Sequence, residues 1–454
     1  MDDSKEKDSN EKIVANKNNN CSNSNNTEKD KIKNYHFLYK QQSIIEDIQE
    51  THVLRAIEKK LGTNHFCLLT YKLEPIIERI GLLGDYSFLN VAYLNAQGTK
   101  EHLTFFVKHF PKIEALAEFA QKIGAFKKEV FVYKLFKEFT KEEVSLINNV
   151  IPQCYATSYN EYLILDNLFN EGYKSSDKHT TLDYDTVLIV LQSIAQLHAS
   201  SIIFENKANK KLQDLYSNDL EESFFSKANQ QGVEASVKCI IDEIELFDQP
   251  KTLKSGRNFV DVAEEVCYKI YDLVKPSEKY KNVLSHGDIW ATNILLKHDT
   301  KTKKPIACKL VDFQCGRYVP PAQDVLSFLY LTTSKEFRKK YMYEVLGMYY
   351  SYLEKNVKHF GFDINHILPF DNFMQSCEEL KVFAIVLAAI YFPLILINNN
   401  EIEEYFSNKE LNEKALFDNR IHLVKAHKDK DAFYEHRIQE SLDDLKAFCE
   451  NYKS

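Results

Sequence analysis

Apolar positions recur along this 454-residue chain with two different periods, and the change of period divides it. Residues 41–60 carry Ile44, Ile45, Ile48, Val53, Leu54 and Ile57 at the mixed spacings of a broad helical face, and Gly62 with Asn64 stops the run. Residues 66–110 read as strands: a short one at 66–69, a longer one at 86–94, the turn Asn95-Ala96-Gln97-Gly98, and a third at 102–110 that completes a hairpin. A helix is predicted over 113–139, interrupted at Gly124, and a buried strand over 162–165 runs into Asp166-Asn167-Leu168. Beyond that point helical periods dominate: 182–199 capped by Thr181 or Asp183, then 237–247 and 259–274, and a helix opening at Asp324. Three helices follow over 335–397, and a charged helical stretch over 398–454 is broken at Asn398-Asn399-Asn400. At the N-terminus Asn, Lys, Ser, Glu and Asp dominate, with too little apolar surface to order themselves. The pattern predicts an α+β chain: a disordered polar tail (1–34), a small strand-rich lobe with one main helix (35–168) and a large, mostly helical lobe (169–454).

One stretch carries specific chemistry. Residues 286–293 read His-Gly-Asp-Ile-Trp-Ala-Thr-Asn, and nineteen residues past Asn293 stands Asp312, in Val311-Asp312-Phe313-Gln314. The first block fits H-x-D-x-x-x-x-N, the catalytic-loop pattern of kinase folds, and the second a short buried strand ending in a metal-binding Asp. Phosphoryl transfer needs this set. One carboxylate, Asp288, meets the acceptor hydroxyl; an amide oxygen, Asn293, and a second carboxylate, Asp312, hold Mg²⁺ against the nucleotide phosphates. His286 is expected to hold the loop geometry and Gly287 to keep the chain tight before Asp288.

The strand-rich lobe supplies complementary candidates. Lys108 ends the apolar run Phe105-Phe106-Val107, from where an ammonium can reach the α and β phosphates of ATP. Glu129 on the following helix is the expected ion-pair partner that fixes it, with Glu114, Glu118 and Glu138 as alternatives. Gly84, Asp85, Tyr86 and Ser87, read as a loop between strands, can offer backbone N–H groups to phosphate oxygens, although a plain hairpin bend has the same composition. Leu165, Asp166 and Leu168 stand where the lobes join and an adenine docks. Asp324 is expected to cap its helix or tie back to the catalytic loop, Arg317 to meet a phosphate or a carboxylate, and His198 to be structural.

Bulk numbers exclude several classes. A formal net charge of -8, with basic clusters that lack interleaved aromatics, argues against nucleic acid as partner. Nine cysteines at uneven spacings, with no C-x-x-C, suit neither a zinc site nor a disulfide framework, so a cytoplasmic setting is expected. The longest apolar run, 382–397, spans 16 residues and reads as a buried helix rather than a membrane span. The expected partner is a small-molecule alcohol, not a membrane, and the expected state a monomer or weak homodimer.

These residues together resemble the ecdysteroid-kinase-like (CHK-kinase-like) proteins of arthropods, which group with choline kinases and aminoglycoside phosphotransferases in the protein-kinase-like fold. The resemblance covers about residues 60–430. It rests on Ser285-His286-Gly287-Asp288-Ile289-Trp290-Ala291-Thr292-Asn293 and Val311-Asp312-Phe313-Gln314, supported by Phe106-Val107-Lys108, Glu129, Leu197-His198-Ala199 and Asp324. The Trp two residues after Asp288, and Gln rather than Gly after Asp312-Phe313, distinguish it from true protein kinases. The resemblance implies an ATP- and Mg²⁺-dependent kinase acting on a steroid or xenobiotic alcohol. Asp288 would be the base, Asn293 and Asp312 the metal ligands, and Lys108, paired with Glu129, the phosphate contact. The other acceptor considered is choline or ethanolamine, and the other class a non-catalytic nucleotide-binding protein that kept the fold.

Overall fold

The computed structural model describes residues 48–77, 81, 83–398, 401–402, 405 and 408–453. The expected polar tail, the start of the first helix at 41–47, and Asn399 and Asn400 of the expected break lie outside the described residues.

The first lobe is a five-stranded antiparallel sheet with helices on both faces. Helix α1 (Glu50–Leu61) ends at Gly62, whose φ of 67° is the left-handed stop expected of a glycine after a helix. Strands β1 (Cys67–Pro75), β2 (Asp85–Leu94) and β3 (Lys100–His109) follow, then α2 (Glu114–Lys122) and α3 (Ala125–Lys141), then β4 (Cys154–Ser158) and β5 (Tyr162–Asp166). The sheet order is β1-β2-β3-β5-β4. The short strand expected at 66–69 is nine residues long, because β1 pairs with β2 along its whole length. The helix expected over 113–139 is divided at Gly124, at φ 62°.

Strand alternation sorts side chains onto two faces. Leu89 and Val91 of β2 with Phe105 and Val107 of β3 join Val53, Ala56 and Ile57 of α1 in one core. The opposite face carries Tyr86 and Phe88 beside Lys108 and Phe106, which are direct cross-strand partners.

The second lobe packs helices around two small sheets. After β6 (Tyr173–Ser175) come α4 (Tyr184–Ala208), α5 (Leu212–Leu220), α6 (Gln230–Leu246), α7 (Phe259–Tyr268) and α8 (Ile270–Leu273). Asp183 caps α4 by accepting the Thr186 N–H, and the helix runs on past the expected 199 to Asn209 in the left-handed region. Strands β7 (Val283–Ser285), β8 (Ile294–His298), β9 (Pro305–Leu310) and β10 (Arg317–Val319) form a β6-β8-β9 sheet and a β7-β10 pair. Helices α9 (Ala322–Thr332), α10 (Lys335–His359), α11 (Ile364–Ile367), α12 (Phe370–Ile395), α13 (Lys409–Phe417), α14 (Ile421–His427) and α15 (Ala432–Asn451) complete the lobe. The apolar run at 382–397 is largely the second half of α12, buried as expected. One described helix, α4, is long and apolar enough to cross a membrane, and 78% of its most apolar stretch is buried inside the protein.

The last helix staples the lobe. Arg437 of α15, fully buried, donates to the carbonyls of Thr333 (2.8 Å) and Tyr330 (2.9 Å), at the C-terminal end of α9 where carbonyls lack helical partners. Glu440 pairs with Arg437 and accepts the N–H of Lys335 at the start of α10. Arg437→Met should leave Glu440 buried without its cation and remove the guanidinium donor to the Tyr330 carbonyl, lowering stability by about 3 kcal/mol in urea unfolding; an unchanged midpoint would contradict the staple.

Candidate active site

Two ladders bring the chemistry together. The 286–293 loop runs between β7 and β8, and the 311–316 segment runs between β9 and β10. Ile294 pairs with Leu310 and Ser285 with Arg317, so both segments spring from, and return to, the same pair of ladders. The Val311 N–H continues the register by donating to the Asn293 carbonyl at 3.1 Å. This is why residues nineteen apart in sequence meet.

Asp312 has φ 69°, a left-handed conformation that a non-glycine residue adopts at a cost of about 1–3 kcal/mol, and such strain concentrates at functional sites. Its Oδ1 accepts from Lys108 Nζ at 2.7 Å, and the same ammonium meets Glu129 Oε2 at 2.6 Å. Burial opposes the Lys108 charge, but the carboxylates of Asp312 and Glu129 outweigh it and hold its pKa well above the ordinary lysine value. Glu129 also receives the Phe313 N–H. The Phe313 ring packs against Tyr133 and Phe136 of α3 and against His286, with centroids 5.9, 4.9 and 4.5 Å away. Of the four glutamates weighed on these helices, Glu129 is the one placed at Lys108.

The catalytic-loop backbone is held by one carboxylate. Asp324 accepts the N–H groups of His286 (2.6 Å) and Gly287 (2.9 Å) and faces His198 Nε2 at 3.0 Å. The expectation that Asp324 caps its own helix is corrected: Pro321 stands at the N-cap and Asp324 is already inside α9, so its side chain is spent on the loop. Burial works against its charge, but His198, His286 and the backbone N–H hold its pKa below the usual carboxylate range. His198, expected to be structural, orients Asp324 and is itself bonded to the Tyr349 hydroxyl at 2.7 Å. The buried His286 ring accepts the Asp288 N–H on Nδ1 (3.2 Å) and lies 2.9 Å from the Val311 carbonyl through Nε2, which fixes the neutral Nε2–H tautomer. Burial lowers its pKa in the same sense. Arg317, left between two readings, pairs with Glu222 at 2.5 Å and donates to the Gly287 carbonyl at 3.2 Å.

Asp288 itself is buried, and its carboxyl is pushed up to about 7, first by burial and then by Asp312; hydrogen bonds from Tyr391 and Asn293 pull the other way. Asn293 Nδ2 donates to the Asp288 carbonyl (2.8 Å) and to Oδ2 (3.0 Å), which leaves its Oδ1 as the acceptor for a cation. Asp312 and Asn293 Oδ1 thus make a hard oxygen set suited to a cation completed by water and phosphate. Among the described residues no cluster of three or more His, Cys, Asp or Glu offers a metal cage of its own.

The cleft has two halves that share Gly81, Thr292, Asn293 and Asp312. One is lined by Tyr86, Phe106, Lys108, Glu129, Pro152, Leu165, Asp166, Leu168, Phe169, Leu295 and Val311. Phe106 and Phe169 lie 6.0 Å apart there and form an aromatic wall. The other contains Asp288 and is lined by Leu116, Phe119, Phe224, Trp290, Tyr391, Leu394 and Arg420. The halves hold about 70 and 80 Å³. A larger groove of about 940 Å³ lies elsewhere, between α5, α6 and α7; only Glu222, through Arg317, connects it to the loop.

Several nucleotide-side expectations are corrected. Asp85, Tyr86 and Ser87 are not a loop but the start of β2, and alternation sends only Tyr86 to the cleft. Ser87 turns to the opposite face and bonds His109 at 2.7 Å, and Asp85 accepts the Lys112 N–H at 2.8 Å. Gly84 lies against Lys108, where a Cβ would come within 3.2 Å of the lysine chain. The Asp166 carboxylate binds Lys60, Tyr155 and the Gln153 N–H, so its side chain serves the sheet and α1, while the residue lines the half-cleft together with Leu165 and Leu168. Tyr391, Arg420, Phe224 and Phe119 were missed, because in sequence they are aromatic or charged positions far from the motif, two in helices and two in connecting segments.

Gly287 has φ 81°, and a Cβ there would fall 2.1 Å from the Cys315 carbonyl oxygen. Gly287→Ala should therefore force the two loops apart and cost at least about 3 kcal/mol, seen as a lowered Tm. Asp324→Asn, which sets an amide N–H against buried backbone donors, should cost about 2–3 kcal/mol. Wild-type stability in either variant would refute the loop geometry.

The sequence model of the ecdysteroid kinase-like family matches residues 87–362, which span Lys108, Glu129 and the whole 286–324 region. No curated protein matches the sequence. Among solved structures, a choline/ethanolamine kinase family protein from Mesorhizobium loti aligns over 88% of this chain and 98% of that chain, at 12% identity and a TM-score of 0.33, too loose a likeness to carry an argument. The family match covers more than half of the sequence and all of its catalytic-loop residues: the chain belongs to the ecdysteroid kinase-like family.

Proposed function

We propose that the protein is a small-molecule kinase that moves the γ-phosphoryl group of ATP, in the presence of Mg²⁺, to the hydroxyl of an apolar alcohol of the steroid or xenobiotic kind. The observation that carries this reading is the junction of the two half-clefts. A buried carboxylate, Asp288, borders the apolar half, while Asn293 and Asp312 belong to both halves and Lys108 stands in the other.

In this mechanism Asp312 and Asn293 Oδ1 would hold Mg²⁺, which offsets charge on the phosphates when bound. Lys108, aimed by Glu129, contacts the phosphate oxygens. Phe106, Phe169, Leu165 and Leu168 cover the base. The acceptor hydroxyl lies against Asp288, whose carboxylate orients it and takes its proton as the new O–P bond forms. Asn293 and Tyr391 fix the rotamer of Asp288 through their hydrogen bonds. The acceptor half favours an apolar body over a quaternary amine: its wall carries the Arg420 cation and, among the described residues, no carboxylate beyond Asp288 and Asp312.

Two outcomes test the reading. Asp288→Asn should lower kcat by about a thousandfold while leaving the Kd for ATP nearly unchanged; near wild-type turnover would refute the base assignment. The pH profile has a definite sign. Asp288 acts only when ionised, and its carboxyl titrates near 7 in the metal-free enzyme, so kcat/KM for ATP should decline as pH falls through about 7. The midpoint in kcat should lie lower, because a bound cation favours the carboxylate. A profile flat down to the ordinary aspartate range in both parameters would contradict it.

A further inference from the structure

Arg420, the residue before α14, is 5% exposed and lines the acceptor half of the cleft. Its Nε donates to the Ala415 carbonyl (2.9 Å) and its Nη1 to the Ile390 carbonyl (3.1 Å), two of the five N–H groups of a guanidinium. Among the described residues no carboxylate lies within ion-pairing distance of it, unlike the buried Arg317 and Arg437, each of which has a glutamate. Of the groups whose charge acts on it, Glu243 is the one carboxyl; it is wholly buried, and burial pushes its pKa up to about 8, which favours its neutral form. A buried cation without a counter-charge is costly, and the side of Arg420 that faces the cavity is where an anion would relieve that cost.

Placement defines the rest. Arg420 holds the carbonyl of Ile390, and the next residue, Tyr391, is hydrogen-bonded to Asp288. Tyr391 thus links the backbone that Arg420 holds to Asp288, and Phe119, Phe224 and Trp290 line the same cavity. Resting on the kinase reading above, we propose that Arg420 determines acceptor specificity, and that the acceptor is an aromatic or similarly apolar alcohol bearing an acidic oxyanion. Charge-assisted pairing with a carboxylate inside the cavity then adds to apolar burial, and it selects against choline-like cations.

The chain has a single tryptophan, and Trp290 lines this cavity, so its fluorescence reports acceptor binding without turnover. The probes are para-hydroxymethyl-phenylacetate and its methyl ester, titrated into the full chain with Mg²⁺ and a non-hydrolysable ATP analogue. The wild type should bind the acid at least about tenfold more tightly than the ester. Arg420→Gln, which can still donate to the carbonyls, should lose that preference, and Arg420→Lys, which keeps the charge, should retain part of it. Equal binding of acid and ester, no detectable binding of the acid, or a Gln variant that weakens both alike would overturn the proposal. Thermal melts of both variants identify a loss caused by unfolding. ATP consumption with the same acid is scored separately: selective binding without turnover would refute the kinase reading and leave the recognition of the acidic group standing.

Discussion

One ammonium group meets two carboxylates from different parts of the chain, and the site is built on that shortage of positive charge. Lys108 leaves the sheet of the first lobe, Glu129 comes from α3, and Asp312 from the second lobe. A buried pair of this kind contributes little net stability, because desolvation cancels most of the attraction. What it supplies is position: the lysine is held where it crosses from one lobe to the other, and the strained backbone of Asp312 is held with it. A second positive charge beside Asp312 would satisfy the surplus carboxylate, which is the electrostatic reason that the Asn293–Asp312 oxygen pair suits a divalent cation.

The same surplus explains Asp288. It lies close enough to Asp312 for the two carboxylates to repel, and burial adds to the effect. Its environment therefore resists ionisation, and a cation beside Asp312 would favour the carboxylate form. Around this pair the loop is rigid for reasons that do not involve substrate. Asp324 gathers two backbone N–H groups and His198, His286 is fixed as a single tautomer, and Arg317 holds the Gly287 carbonyl against Glu222. The acceptor side is apolar and aromatic apart from Arg420 and the shared carboxylates.

The sequence was a good guide wherever a contact depends on local spacing. The interval from Asp288 to Asn293 and on to Asp312 spans one loop, one hairpin and the next loop, so ladder register alone brings the three together. Lys108 was legible because it ends an apolar strand, and Glu129 because one helical face follows that strand. The nucleotide-loop expectation failed for an equally local reason. Gly84 suggested a bend extending through Ser87, whereas pairing with β3 begins at Asp85 and alternation turns Ser87 away.

What remained hidden depends on packing between segments far apart in sequence. Phe119, Phe224, Tyr391 and Arg420 belong to α2, a loop, α12 and the turn before α14, and no period or motif links them. They converge because the helices of the large lobe bury their apolar faces against one another, and the cavity is the space that this packing leaves. The pKa of Asp288 and the role of Asp324 are decided in the same way, by burial and by partners on other segments of the chain. The sequence by itself determined the strand-rich and helical regions, the 286–293 loop and the pairing of Lys108 with Glu129, because hydrogen-bonded ladders and helical periods are written in neighbouring positions. Only the tertiary structure decided the acceptor pocket and the charge state of the base, because desolvation and side-chain convergence exist only once distant segments have packed.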